Sequence, residues 1–203
     1  MASDRDLLHA WRRGDRAAGS LLFERHFDAI LRFFRNKVGA AAEDLVQRTF
    51  VAAIEGQGRF REDASFRTYL FGIAHNLLRE HFRGRGRAGA VVDVDATSLV
   101  DLGESPTSLL GAREEERLLL EGLRRIPLAS QVILELYFWE SLTGAELGQV
   151  LGVPEDTARS RLRKAKRELA AAIRACEADS RARESTASNL DVWAAKVRGQ
   201  FNR

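Results

Sequence analysis

Between residues 151 and 155 the chain has to break and turn, and that break constrains the fold more than any other stretch. Gly152-Val153-Pro154 separates two segments of helical period. Glycine suits a helix C-cap, where a left-handed residue is needed, and proline suits the first turn of the next helix, where its missing N–H costs nothing. Upstream, Thr143 followed three residues later by Glu146 forms a capping box. Ala145, Leu147, Val150 and Leu151 give that first helix an apolar side. Downstream, Glu155 and Asp156 put negative charge at the positive end of the second helix. There Ala158, Leu162, Ala165, Leu169 and Ile173 recur at the spacing of a buried stripe. Arg159, Arg163 and Lys166 form a separate row, with Ser160, Lys164 and Arg167 beside it. A short helix, a glycine-bearing turn and a second helix with a basic outer face make a helix-turn-helix, whose second helix fits the major groove of DNA.

The rest of the chain is also helical in pattern. Only three prolines occur in 203 residues and β-branched runs are almost absent. The expected fold class is all-α, with two small helical domains joined by a flexible linker, the C-terminal one a helix-turn-helix. Residues 4–13 and 15–38 read as helices, the second with an apolar face of Leu21, Leu22, Phe27, Ile30, Leu31 and Phe34. A third helix runs to Gly56, with Leu45, Phe50, Val51 and Ile54 towards a core and Asp44, Gln47 and Arg48 on another side. Residues 56–65 are polar and glycine-bearing, hence a loop, and Ser65 or Asp63 caps the helix after it. That helix buries Leu70, Ile73, Ala74, Leu77 and Leu78. Cations then vanish, and Asp93, Asp95, Asp101 and Glu104 mark an acidic linker. The expected division is a first domain at 1–87, the linker at 88–111, a second domain at 112–176 and a C-terminal extension at 177–203. Within the extension, 177–188 reads as flexible. A short amphipathic helix follows, with Leu190, Trp193, Val197 and Phe201 on one side.

Composition excludes several functional classes. The net charge is +3, and the sequence pI of about 9.4 is compatible with a nucleic-acid partner. The single cysteine, Cys176, argues against an oxidising compartment. No apolar signal core and no run long enough for a membrane span is present. A cytoplasmic protein without membrane insertion is expected. His9, His26, His75 and His81 are scattered, no zinc-ligand spacing occurs, and no nucleophile elbow or phosphate-binding loop is found. Neither catalysis, a metal nor a cofactor is expected. Phe60, Phe66, Tyr69, Phe71 and Phe82 alternate with Arg59, Arg61, Arg67, Arg79, Arg83, Arg85 and Arg87. Such interleaving suits single-stranded nucleic acid, where rings stack on bases and arginines follow phosphates. Roughly half of these rings are expected in the core, and Phe60, in the loop, is the least explained that way.

Two stretches carry a family resemblance. AEDLVQRTFVAAI, with FRTYLFGIAHNLLREHFR downstream, resembles region 2 of the ECF (extracytoplasmic function) bacterial sigma factors. IPLASQVILELYFWESLTGAELGQVLGVPEDTARSRLRKAKREL resembles their region 4, and together they cover roughly residues 5–176. The resemblance implies a dissociable subunit that brings core RNA polymerase to chosen promoters. Asp44, Leu45, Gln47 and Phe50 match positions that grip the polymerase clamp. The loop and the helix after it match the part that recognises the minus-ten element and captures a base flipped from the single-stranded non-template strand. Phe60, Tyr69 and Asn76 match positions of that kind, and Arg59, Arg67, Arg79 and Arg83 join them as minus-ten DNA contacts. Arg159, Ser160, Arg163 and Lys164, with Thr157 and Arg161 nearby, match contacts to the duplex minus-thirty-five element. The acidic linker matches a segment that threads towards the polymerase active site and RNA exit path. An anti-sigma factor clamped over both DNA-binding surfaces is a further implied partner. Two positions depart from the family: Arg48 stands where an acidic residue is usual, and Gly148 replaces a common alanine, at a helix-propensity cost of about 1 kcal/mol. The alternative is an autonomous helix-turn-helix regulator. It explains residues 112–176 and leaves the DLVQ helix and the aromatic loop without a role.

Overall fold

The structure, a computed structural model, describes residues 2–83, 96–99, 114–176 and 185–192. Among these residues all regular structure is helical, in line with the sequence expectation. Ser3 and Asp6 form a capping box that starts α1 (Asp4–Arg12). Asp15 caps α2 (Arg16–Val38), accepting from the Ala18 N–H, and Gly39, at φ +51°, ends it. A short 3-10 turn leads into α3 (Ala42–Gly56), and another, Gln57–Arg59, opens the loop before α4 (Phe66–Arg83). Ser65 is the residue that caps α4, taking the Thr68 N–H at 3.0 Å. The second half comprises α5 (Glu114–Arg125), α6 (Leu128–Phe138), α7 (Gly144–Leu151) and α8 (Glu155–Arg174).

The first domain closes around Leu8, Leu22, Ile30, Phe34, Leu45, Phe71 and Phe82, all at most 2% exposed. Four apolar residues expected in this core lie outside it: Leu21 (54% exposed), Phe27 (45%), Val51 (45%) and Ile54 (46%). For Val51 and Ile54 the reason is the narrowness of the buried stripe on α3. Its buried positions are Ala42, Leu45, Val46, Thr49 and Ala53, a helical row offset from Val51 and Ile54. Thr49 is tolerated there because its hydroxyl donates to the Leu45 carbonyl at 2.7 Å. Of the five interleaved aromatics of the loop and α4, Phe66, Phe71 and Phe82 are buried, whereas Phe60 and Tyr69 are half-exposed.

The helix-turn-helix forms as its caps dictate. Thr143 and Glu146 make both bonds of the capping box, and Gly152, at φ +66°, is the left-handed C-cap of α7. Gly148 has a packing reason, because a Cβ there would lie 2.8 Å from the Val153 carbonyl oxygen. The helix-propensity cost is therefore exchanged for close approach of α7 to the turn. Ala158, Ala165, Leu169 and Ile173 of α8 are fully buried against α5, α6 and α7.

Part of the expected linker is also packed. The Leu128 N–H donates to the Thr97 carbonyl at 2.9 Å, and Leu99 is fully buried. The acidic residues Asp93, Asp95, Asp101 and Glu104 lie outside the described residues. In the extension, residues 185–192 are mostly helical, which places helix earlier than the expected flexible stretch allows. Ala187 and Leu190 are buried there, and Asp191 pairs with Lys166 at 2.8 Å. Trp193, Val197 and Phe201 fall outside the described residues.

The two domains touch through α4 on α7 and through α2 on α6. Lys37 of α2 is fully buried, donates to the Phe33 carbonyl at 2.6 Å and pairs with Glu135 of α6. Burial pushes the Lys37 ammonium below its usual pKa, with Glu135 opposing that shift.

Thr143→Ala removes both hydroxyl bonds of the α7 cap. It should cost about 1 kcal/mol, read as a lower urea midpoint with an unchanged slope when unfolding is followed by circular dichroism.

Candidate nucleic-acid interface

The loop between α3 and α4 is held in shape from α1. Arg12 donates to the Gln57 carbonyl through Nε (3.2 Å) and Nη2 (2.8 Å), to the Phe60 carbonyl, and to the Glu62 carboxylate. Arg5 and His9 reach the same carboxylate at 3.2 and 2.9 Å. Glu62 stands at φ +62°, a left-handed conformation that costs a non-glycine residue about 1–2 kcal/mol. Three basic side chains converging on its carboxylate hold it there. The His9 hydrogen bond, with further help from Arg12, keeps the Glu62 carboxyl below its ordinary pKa against the opposing effect of burial.

Inside this frame Phe60 stacks on Tyr69, ring centroids 4.5 Å apart and planes 20° from parallel. Gly56 makes room for the stack, since the Tyr69 hydroxyl occupies the space a side chain there would take. Burial pushes the Tyr69 phenol above its usual pKa, so it stays neutral. A cleft of about 470 Å³ opens beside the pair, lined by Arg59, Phe60, Tyr69 and Ile73 and, from the other domain, Gln149. Gln149 donates to the Asp63 carbonyl at 3.0 Å and so lies across the loop.

The other expected minus-ten residues divide into two groups. Arg59, Asn76 and Arg83 are exposed. Arg67 is engaged: it donates to the Glu140 carbonyl at 2.6 Å and pairs with the Glu140 carboxylate. Arg79 is half-buried and lines a second cleft, of about 360 Å³, together with Arg161 and Lys164 of α8.

On α8, Arg159, Ser160, Arg161, Arg163 and Lys164 are exposed and Thr157 is half-buried. Arg159 is bonded back to Glu155, its Nε at 2.8 Å. Lys166 leaves the expected basic row. It lies 4.5 Å over the Tyr137 ring and pairs with Asp191, a cation–π contact that the sequence period does not reveal.

On α3, Asp44 and Gln47 are exposed as expected. Leu45 is not at the surface: it is 1% exposed and belongs to the core. Phe50 is half-buried and stacks with Phe27 at 6.2 Å, so these rings join Val51 and Ile54 in an apolar surface area. Arg48 reaches Glu80 at 3.2 Å, which gives the unexpected arginine a partner.

Arg12, His9 and Glu62 were not singled out by sequence. The partners lie about 50 positions apart, and neither the α1 pattern nor the loop signals the pairing.

Residues 22–88 match the Sigma-70 region 2 family and residues 123–171 the Sigma-70, region 4 family. The chain is 30% identical over 174 residues to the RNA polymerase sigma-H factor of Pseudomonas aeruginosa, covering 80% of this chain and 90% of that one. It is 24% identical over 173 residues to the ECF RNA polymerase sigma-E factor of Escherichia coli, covering 81% and 91%. Its fold is similar to that of the sigma factor RpoE from Bartonella quintana, solved in complex with the anti-sigma factor NepR, at 20% identity and a TM-score of 0.57, covering 79% of this chain and 98% of that one. The chain belongs to the ECF group of sigma-70 family RNA polymerase sigma factors. The family is one of non-enzymatic transcription initiation factors. Among the described residues no helix is long and apolar enough to cross a membrane, and no cluster of three or more His, Cys, Asp or Glu side chains is placed to hold a metal.

Arg12→Ala should loosen the loop without unfolding α4. Losing charge-assisted bonds of this kind raises the open population about tenfold, so trypsin should cut after Arg59 and Arg61 correspondingly faster.

Proposed function

We propose that this chain is an alternative sigma factor that binds core RNA polymerase, places it at promoters through minus-ten and minus-thirty-five elements, and helps open the DNA. It acts in the cytoplasm, and the chemistry of RNA synthesis belongs to the polymerase. The observation that carries the reading is the stacked Phe60–Tyr69 pair in a braced loop on one domain, with a helix-turn-helix presenting exposed cations on the other.

The loop suits a flipped base. Extruding a base costs a few kcal/mol, and stacking on a ring returns about 1–3 kcal/mol per base. The cleft beside Phe60 and Tyr69 supplies the ring face, and Asn76 supplies an amide able both to donate to and to accept from a base edge. Arg59, Arg79 and Arg83 serve the strand's phosphates, with Arg67 joining them once Glu140 releases it.

On α8, the exposed Ser160, Arg161, Arg163 and Lys164 enter the major groove, Lys164 on leaving its 3.4 Å pair with Glu168, with Arg159 and Thr157 at its edge. Phosphate contacts fix the helix, and bidentate contacts to base edges give about 1–3 kcal/mol of discrimination each. On α3 the polymerase contact is Asp44 and Gln47 with the apolar area of Phe27, Phe50, Val51 and Ile54. Leu45 serves by holding α3 in place from beneath. Exposed apolar groups gathered on one face are what a protein partner covers. An autonomous regulator leaves that face and the aromatic cleft unexplained. The similarity to a sigma factor solved with an anti-sigma factor supports a regulator of that kind for this chain as well.

The purified chain should co-elute with bacterial core polymerase, and Ile54→Asp should abolish co-elution while helical content is kept. Arg163→Ala combined with Lys164→Ala should lower run-off transcription at least tenfold. Asn76→Ala should reduce permanganate reactivity of the opened strand more than initial binding. No complex with polymerase, together with tight specific binding by the chain alone, would establish the autonomous regulator instead.

A further inference from the structure

Where α4 meets α6 and α8 the chain forms a cleft of about 360 Å³ with two kinds of lining. One is apolar: Leu78 of α4, Val132 and Ile133 of α6, and Val153 of the turn. The other is cationic: Arg79 of α4 with Arg161 and Lys164 of α8. No acidic residue is among those that line it. Arg79 is half-buried there. Among the described residues neither Arg79 nor Arg161 lies within ion-pair distance of a carboxylate. Lys164 has Glu168 at 3.4 Å, a carboxylate that also accepts from the Ser130 hydroxyl at 2.5 Å.

Charged groups drawn partly out of water are normally paired. Two guanidinium groups and an ammonium around one apolar hollow are therefore arranged for a negative charge that comes from elsewhere. A guanidinium offers parallel N–H groups to two oxygens at once, and an ammonium adds a point charge. A phosphate monoester fits this set better than a carboxylate does. It brings about −1.5 to −2 of charge near neutral pH and three acceptor oxygens. The apolar lining suits a ligand that carries a hydrocarbon or ring beside its phosphate. The volume lies at the lower end of the range for small-molecule sites, about 300–1,000 Å³, which limits that part to a small group.

We propose that this cleft binds a small organic phosphate, with the phosphate on Arg79, Arg161 and Lys164 and the apolar group against Leu78, Val132 and Val153. Arg79 comes from one domain and Arg161 and Lys164 from the other, so neither domain alone supplies the site. The consequence for promoters rests on the reading above, in which Arg161 and Lys164 contact the minus-thirty-five element. Ligand and duplex then draw on the same donors, and each lowers the apparent affinity of the other. The chain thereby acquires a direct chemical input. Its share available to promoter DNA falls as the concentration of the phosphate ester rises.

The experiment is isothermal titration calorimetry of the full chain with phenyl phosphate and with inorganic phosphate. Phenyl phosphate should bind at one site per chain, about tenfold more tightly than inorganic phosphate, because only the ester uses the apolar lining. Ala129 also lines the cleft, in the first turn of α6, where a glutamate suits the helix. Ala129→Glu places a carboxylate among the cations and should weaken phenyl phosphate at least tenfold, with helical content kept by circular dichroism. Arg79→Gln should weaken it by a similar factor and serves as the test if Ala129→Glu does not fold. Equal affinity for the two phosphates, or an affinity that Arg79→Gln leaves unchanged, overturns the proposal. Binding that appears only after Asp93→Asn is combined with Asp95→Asn also overturns it, because the cleft then belongs to the chain's own acidic linker. Lys164→Ala separates the site from the promoter reading. Weakened phenyl phosphate binding with run-off transcription intact keeps the site and refutes the promoter role of Lys164. Unchanged phenyl phosphate binding with transcription lowered refutes the site and keeps that role.

Discussion

A lysine ammonium cannot leave water unless charge and hydrogen bonds meet it, and Lys37 is fully buried where the two domains touch. Glu135 meets it from α6, the Phe33 carbonyl takes a second N–H, and the Phe33 ring lies 4.3 Å beneath. Gln131 holds the other Glu135 oxygen at 2.7 Å. Buried pairs of this kind add little net stability, yet leaving one partner alone costs about 3–5 kcal/mol. The weight of the pair is thus geometric. α2 and α6 either meet in this register or separate. The Arg67–Glu140 and Thr68–Glu146 contacts occur on the neighbouring helices of the same face.

The contact between the domains is not polar throughout. Leu22, Phe34 and Phe71 in the first domain and Leu119, Leu136 and Leu169 in the second belong to one continuous buried apolar cluster. Between them the named ties are ionic or hydrogen-bonded. Separating the domains returns Lys37, Glu135, Arg67 and Glu140 to water, which recovers their hydration. Separation also exposes apolar surface, as around the cleft where Leu78 of α4 meets Val132, Leu151 and Val153, and that cost favours the contact.

The helix-turn-helix was legible residue by residue, because Thr143, Glu146, Gly152 and Pro154 act through local backbone bonds that sequence spacing encodes. The aromatic loop was legible for a similar reason: a ring in a polar, glycine-bearing segment has no helical stripe to join, and Phe60 is indeed half-exposed beside Tyr69. Period alone failed where two apolar rows share one helix. Val51 and Ile54 look as suited to a core as Val46 and Ala53, and only the packing of α2 and α4 on α3 selects between them. Lys166 was misplaced for the complementary reason, since its stem carries the charge around to Tyr137 and Asp191. Glu135 stands among Ile133, Leu134 and Leu136 in the apolar run of α6. A carboxylate there requires a cation, although which one lies 98 positions away was not encoded locally.

The loop shows how long-range and short-range control divide. Arg12 and Glu62 fix its backbone from α1, inside the first domain, and this bracing persists whatever the second domain does. Gln149 touches the same loop from α7, through a single hydrogen bond to the Asp63 carbonyl. A base entering the cleft then meets rings already stacked and a turn already held at an unfavourable φ, so little ordering remains to be done on binding.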